Sequence, residues 1–219
     1  MNPELKKLTA SIQKKYGDSV VELASQSTRT NIVTYTTGSL MLDLACGGGD
    51  RAGIPEGRIM EVYGPESQGK TTMTLLMIAA RQQHENQMAA ENPDYEKKYC
   101  IFLDAEHALD FQLAEEYGVD LTELIYIDPE TAEPAFDILD AYIRTGSIAL
   151  IVVDSVPALL VNSIEQSSYE QQHMGTLARF MSGAMQRIAG PLFANKTTMV
   201  FINQIREKIG GYSPTGIAE

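Results

Sequence analysis

Residues 58–82 constrain the fold most. A short apolar segment, RIMEVY, runs into GPESQGKT and then into TTMTLLMIAARQ, which has the length and composition of a helix. Residues Gly64, Pro65, Glu66, Ser67, Gln68, Gly69, Lys70 and Thr71 spell G-x-x-x-x-G-K-T between a strand and a helix, the context that a phosphate-binding loop needs. In such a loop successive backbone N–H groups converge on phosphate oxygens at a helix N-terminus. The Lys70 ammonium would reach the β and γ phosphates, and the Thr71 hydroxyl, with Thr72 behind it, would lie at a Mg²⁺ ion.

The same rhythm continues along the chain. Candidate strands are Ile59–Val62, Tyr99–Leu103, Leu124–Ile127, Ala149–Val153 and Met199–Ile202, and helix-length patterns separate the first four. Unbroken aliphatic strands alternating with helices predict an α/β fold, a mostly parallel sheet covered on both faces. Ligands of such sheets bind beyond the carboxyl ends of the strands. Three of those ends carry polar groups. ALIVVD ends in Asp154, an acid after buried aliphatics that suits a carboxylate holding Mg²⁺ through water. IFLDAEH offers Asp104 and Glu106 for activating water, and spacing alone does not separate them. MVFINQ puts Asn203 and Gln204 at the tip of the last strand.

Outside this core, Leu5, Leu8, Ile12 and Tyr16 recur at helical spacing with Lys6, Lys7, Lys14 and Lys15 around them, and Gly17 ends the pattern. The expected division is an N-terminal helix and linker over 1–35 and a nucleotide-binding core over 36–219. Residues 82–98 (QQHENQMAAENPDYEKK) are polar, contain a proline and read as a surface excursion. The terminal GGYSPTGIAE reads as a flexible segment. Two cysteines, Cys46 and Cys100, make neither a disulfide framework nor a Cys/His metal site. With no apolar leader and no aliphatic run longer than Ile148–Val153, a soluble, cytoplasmic protein with no membrane partner is expected. A net charge of −12 argues against a polyanionic partner, but residues 173–219 carry five basic and two acidic side chains. Any nucleic-acid site would lie in that last quarter.

Four segments in order, GPESQGKTT, FLDAEHALD, LIVVDSV and VFINQIREKIG, together with TTGSLMLDLACGGG and HMGTLARFMS, resemble the bacterial and phage RecA recombinase family over residues 5–210. The resemblance implies a RecA-like ATPase using ATP and Mg²⁺ that polymerises as a helical filament on single-stranded DNA. It would exchange strands with a homologous duplex in recombinational repair, and promote cleavage of a damage-response repressor. It implies Glu106 as the carboxylate that activates water and Gln204 as the γ-phosphate sensor. Asp110 would lie near adenine and Glu66 at the subunit interface, with the N-terminal helix as the polymerisation arm. DNA contacts would come from a first loop, about Pro157 to Gly175, in which Met174 wedges between bases. Arg179 and Ser182 would contact the DNA backbone. A second loop after Gln204 would place Arg206 and Lys208 toward phosphates and Ile209 as a partner wedge.

The helix from Thr176 should bury Leu177, Phe180, Met181, Ala184, Met185 and Ile188 and leave Arg179, Ser182 and Gln186 on the other face. A few cations along the strand suffice for such a site, whatever the net charge. The sequence departs from the family at Leu113, where many members stack a tyrosine on adenine, and in a first DNA loop (NSIEQSSYEQQHMG) without the usual glycines. The 82–98 segment is longer than usual, and the sequence stops inside the second DNA loop. Two rivals to a recombinase follow: a nucleotide-binding fragment that caps or inhibits a full-length filament, and a hexameric helicase-like motor on the same core.

Overall fold

The computed structural model describes residues 2–17, 20–26, 32–161 and 171–205. The chain divides into two compact units, Met1–Val33 and Thr34–Glu219. The first is built on α1 (Pro3–Tyr16), which starts with Pro at its first position and an Asn2 side chain accepting from the Glu4 N–H at 3.0 Å. It ends at Gly17, where φ is +104° and the N–H returns to the Gln13 carbonyl. Leu5, Leu8 and Tyr16, the apolar stripe of this helix, are exposed.

In the second unit β1 (Thr34–Tyr35) pairs antiparallel with β2 (Ile54–Pro55), and α2 (Leu40–Cys46) lies between them in sequence. Five strands follow: β3 (Ile59–Gly64), β4 (Tyr99–Asp104), β5 (Leu124–Ile127), β6 (Ile148–Asp154) and β7 (Thr198–Gln204). They form one all-parallel sheet in the order β3-β7-β6-β4-β5. Among the described residues the long helices of this unit are α3 (Lys70–Glu91), α5 (Ala132–Arg144) and α6 (Gln171–Asn195), and α4 (Phe111–Glu116) is short.

Strand periodicity sorts the core into two layers. Ile101, Leu103, Ile151, Val153, Met199 and Phe201 face α5 and α6, where they meet Leu139, Ile143, Ile188 and Leu192. Cys100, Phe102, Leu150, Val152, Val200 and Ile202 point the other way, toward Leu75 and Ile78 of α3 and Ala114 of α4. Every residue of β6 is buried, because this central strand has neighbours on both edges and helices on both faces. Parallel pairing brings the strand ends together, with Asp104 in register with Asp154 and Gly64 with Gln204.

The polar stretch from residue 82 begins as helix rather than as a surface excursion, and residues 92–94 beyond it are exposed. Helix α3 continues to Glu91, and Gln82 and Glu85 are buried in it. Gln82 and Glu85 find partners inside, whereas Arg81 Nε and Nη1 and the Tyr35 hydroxyl have no hydrogen-bond partner among the described residues. Gln82 Nε2 donates to the Asp120 carbonyl and Gln82 Oε1 accepts the Asp120 N–H, both at 2.9 Å, as a strand neighbour would. Arg81 Nη2 lies 2.7 Å from Glu85 Oε1 and 3.0 Å from Glu56 Oε1, and its guanidinium sits 4.4 Å from the centroid of the Tyr35 ring. Glu85 Oε2 accepts from the Tyr95 hydroxyl at 2.8 Å and the Lys98 N–H at 2.9 Å. Burial raises the Tyr35 phenol, and it pushes the Cys100 thiol up to about 12.

Candidate phosphate-binding site

Beyond the end of β3, residues 65–69 form an exposed loop that turns into α3. Ser67 and Gly69 adopt left-handed conformations, with φ of +57° and +77°. For Gly69 this is the conformation that only glycine takes without cost. A Cβ at Gly64 or Gly69 would meet no protein atom within 4 Å, so the space over the loop is left to a ligand. No side chain caps α3. The N–H groups of its first turn are therefore left without a side-chain acceptor at the positive end of a 22-residue helix, an arrangement suited to an anion. Lys70 Nζ donates back to the carbonyls of Gly64 at 3.1 Å and Pro65 at 2.7 Å, which folds the ammonium over the same loop.

The Thr71 hydroxyl donates to Asp154 Oδ2 at 2.6 Å. Burial, aided by the nearby Glu106 and Asp104 charges, pushes the Asp154 carboxyl up to about 6, against the opposing pull of Thr71 and Lys70. A divalent cation would relieve that cost by favouring the ionised form. One hydroxyl and one carboxylate beside phosphate oxygens is a hard, all-oxygen donor set, and it fits Mg²⁺, which keeps several waters and needs few protein ligands. Among the described residues no group of three or more His, Cys, Asp or Glu could hold a metal.

The two acids after β4 have different surroundings. Asp104 is buried, and its Oδ2 accepts from the Leu109 N–H at 2.9 Å and the Tyr126 hydroxyl at 3.1 Å. Glu106 is exposed, and the N–H groups of Ala105 and Glu106 donate to the Asp154 carbonyl at 2.7 and 3.3 Å. Its Oε1 accepts from Gln204 Nε2 at 3.2 Å and from the Ser155 hydroxyl. The strand-tip amides also part company. Gln204 turns to Glu106, whereas Asn203 donates to Glu61 Oε1 at 2.7 Å and accepts the Gln204 N–H at 2.8 Å. Ser155 was not foreseen from sequence. A serine after a strand-end acid has no signature of its own, and its contact with Glu106 joins residues 49 positions apart. His107 was missed likewise: it has φ of +55° and its Nδ1 meets Asp128 Oδ1.

Asp110 caps α4, its Oδ1 accepting the N–H groups of Gln112 at 2.9 Å and Leu113 at 3.1 Å. Phe111 and Leu113 are exposed beside it, with Phe111 edge-on to Tyr126 at 5.0 Å between centroids. Glu66 is exposed on the loop.

Helix α6 shows the two faces expected of it. Ala184 and Ile188 are buried, Leu177, Phe180, Met181 and Met185 pack against the core, and Arg179, Ser182 and Gln186 are exposed, as is Gly175. Arg179 lines a groove of about 420 Å³ between α5 and α6 with Phe136, Phe180 and Arg187. Met174 lies within α6, while Arg206, Lys208 and Ile209 fall outside the described residues, as do residues 162–170 of the expected first loop.

A parallel sheet with a glycine loop feeding an uncapped helix, and a Thr71–Asp154 pair joining that helix to the end of β6 two strands away, defines the P-loop class of α/β proteins. Within that class the family is specific. The model of the RecA N-terminal domain matches residues 4–215, nearly the whole sequence, and the chain belongs to the RecA family.

Proposed function

We propose that the chain is an ATP-dependent DNA recombinase that polymerises on single-stranded DNA and pairs it with a homologous duplex. One observation carries the reading. Lys70, Thr71, Asp154, Glu106 and Gln204, from four different strand ends, meet at one edge of the sheet, and Gln204 is the last residue of β7 before the segment with Arg206 and Lys208.

The loop N–H groups and Lys70 bind the phosphates, with Gly64, Pro65, Glu66, Ser67, Gln68, Gly69 and Thr72 shaping the cradle and Asp110 near the base. Thr71 and Asp154 would hold Mg²⁺, which when bound neutralises phosphate charge. Glu106 orients water and takes its proton. Gln204 reports the nucleotide to the second DNA loop. Arg179, Ser182, Gly175 and Met174, with Arg206, Lys208 and Ile209, make the DNA contact, phosphate contacts positioning the strand and apolar wedges spacing its bases.

Residues 1–35, apart from the Thr34–Tyr35 strand that pairs with β2, act as an oligomerisation arm for the 36–219 core. The uncovered Leu5, Leu8 and Tyr16 stripe, ringed by lysines, supports docking on a second, acidic copy. Among the described residues no helix is long and apolar enough to cross a membrane. A cytoplasmic site of action in DNA repair and the damage response completes the proposal.

The test is ATP hydrolysis by this chain with and without single-stranded DNA, alongside Lys70→Ala and Glu106→Gln. Stimulation by DNA that Lys70→Ala abolishes and Glu106→Gln cuts to a slow residual rate is the expected result. Binding of ATP with no effect of DNA on turnover would refute the coupling.

A further inference from the structure

Glu106 takes its position from two consecutive residues of one strand end. The Asp154 carbonyl accepts both main-chain N–H groups at and before Glu106, and the hydroxyl of Ser155, the next residue, donates to Glu106 Oε1. Ser155 is fully buried at the end of a strand that is itself buried throughout, so its hydroxyl is fixed relative to the sheet. Gln204 donates to the same oxygen, at 3.2 Å, from a half-buried position at the tip of β7. Two donors on Oε1 leave Oε2 as the oxygen with acceptor capacity toward the open side of the site.

We propose that Ser155 is a positioning residue for hydrolysis. It holds Oε1 of Glu106 so that the other carboxylate oxygen meets the attacking water, and it does so independently of Gln204. The division of labour follows from the geometry. An amide drawn toward a γ-phosphate would leave Glu106, and a carboxylate on an exposed side chain would then sample several rotamers. The buried hydroxyl keeps one oxygen engaged while the amide is away. The inference rests on Glu106 as the water-activating residue. The competing explanation is that Ser155 merely satisfies its own buried hydroxyl.

The experiment places Ser155→Ala in the wild-type chain and in the Glu106→Gln chain, measuring DNA-stimulated ATP hydrolysis and binding of a fluorescent ATP analogue. The ¹³C resonance of the Glu106 carboxyl, assigned by its disappearance in Glu106→Gln, is followed without nucleotide. Misplacing a reacting group by a fraction of its reach costs about ten- to a hundredfold in rate. The expected result is a loss of kcat of that size with KM within about twofold. Analogue binding should be unchanged, the Glu106 resonance should shift, and Glu106→Gln should lose nothing further.

A wild-type rate in Ser155→Ala, an unmoved resonance, or an equal additional loss in the Glu106→Gln chain would overturn the proposal, the last showing a packing effect. The unmoved resonance refutes it even where turnover is too slow to measure. Full activity of Glu106→Gln itself would instead strike down the assignment of Glu106, so the two failures are distinct.

Discussion

Replacing Glu85 by alanine tests the account of the buried polar cluster on α3. Arg81 is 2% exposed and Glu85 is not exposed at all, so the pair lies beyond the reach of water. Truncating Glu85 leaves Arg81 with Glu56 as its one carboxylate partner, and it strips the Tyr95 hydroxyl and the Lys98 N–H of their acceptor. Breaking a buried pair by removing one partner costs about 3–5 kcal/mol, and a buried donor left unsatisfied adds about 1–3 kcal/mol. The remaining Glu56 contact offsets part of this, so a loss of about 3–5 kcal/mol is expected.

In a chain of this size that corresponds to a fall in Tm of about 10 °C. Urea unfolding followed by far-ultraviolet circular dichroism is the assay. Glu85→Gln, which keeps an acceptor for Tyr95 and Lys98, should lose less, about 1–3 kcal/mol. Arg81→Met combined with Glu85→Leu removes the buried charge pair but leaves Glu56 without Arg81 and Tyr95 and Lys98 without their acceptor, so it should recover less than half of the alanine loss. A loss below about 1 kcal/mol for Glu85→Ala would refute the reasoning. It would mean that water reaches Arg81 and that the cluster is not what holds residues 82–98 against the core.

Other perturbations have equally definite outcomes. Burial lifts the Asp154 carboxyl from 3.8 to about 6, so the native state holds a proton that the unfolded chain has released. Without nucleotide or metal, stability from this group should therefore fall as pH rises from about 4 to about 6, by about 3 kcal/mol at roughly 1.4 kcal/mol per pH unit. Asp154→Asn should remove that slope in denaturation series run in chelator. Gly53 has φ of +98° and an added Cβ would lie 2.2 Å from the Tyr35 carbonyl oxygen, so Gly53→Ala should cost at least about 2 kcal/mol by thermal unfolding. Gly183, exposed inside α6 with nothing within 4 Å, should by contrast gain up to about 1 kcal/mol as alanine. Arg179→Ala should leave stability within about 0.5 kcal/mol. It should also lower the slope of log affinity for single-stranded DNA against log salt by about 1.

Most of the architecture was legible because it depends on local patterns. Unbroken aliphatic runs mark buried parallel strands, and a glycine loop between a strand and a helix has one geometry, so the five strands and the loop with Lys70 and Thr71 could be placed from residue order. The stripe of α6 followed from helical spacing in the same way. Residues 82–91 misled because polarity was taken for exposure. What decides burial there is whether Arg81, Gln82 and Glu85 find Glu56, Tyr95, Lys98 and Asp120, and those partners come from separate stretches of chain. The choice between Asp104 and Glu106 has the same character. Both follow one strand, and spacing treats them alike until Tyr126 and the Leu109 N–H engage the first while Ser155 and Gln204 engage the second. Local order thus specifies which elements form and what chemistry each can carry. Which acid is buried and which stays exposed, and which polar groups lie inside, is set by contacts between segments far apart in the chain, because a charge is buried or free according to what reaches it.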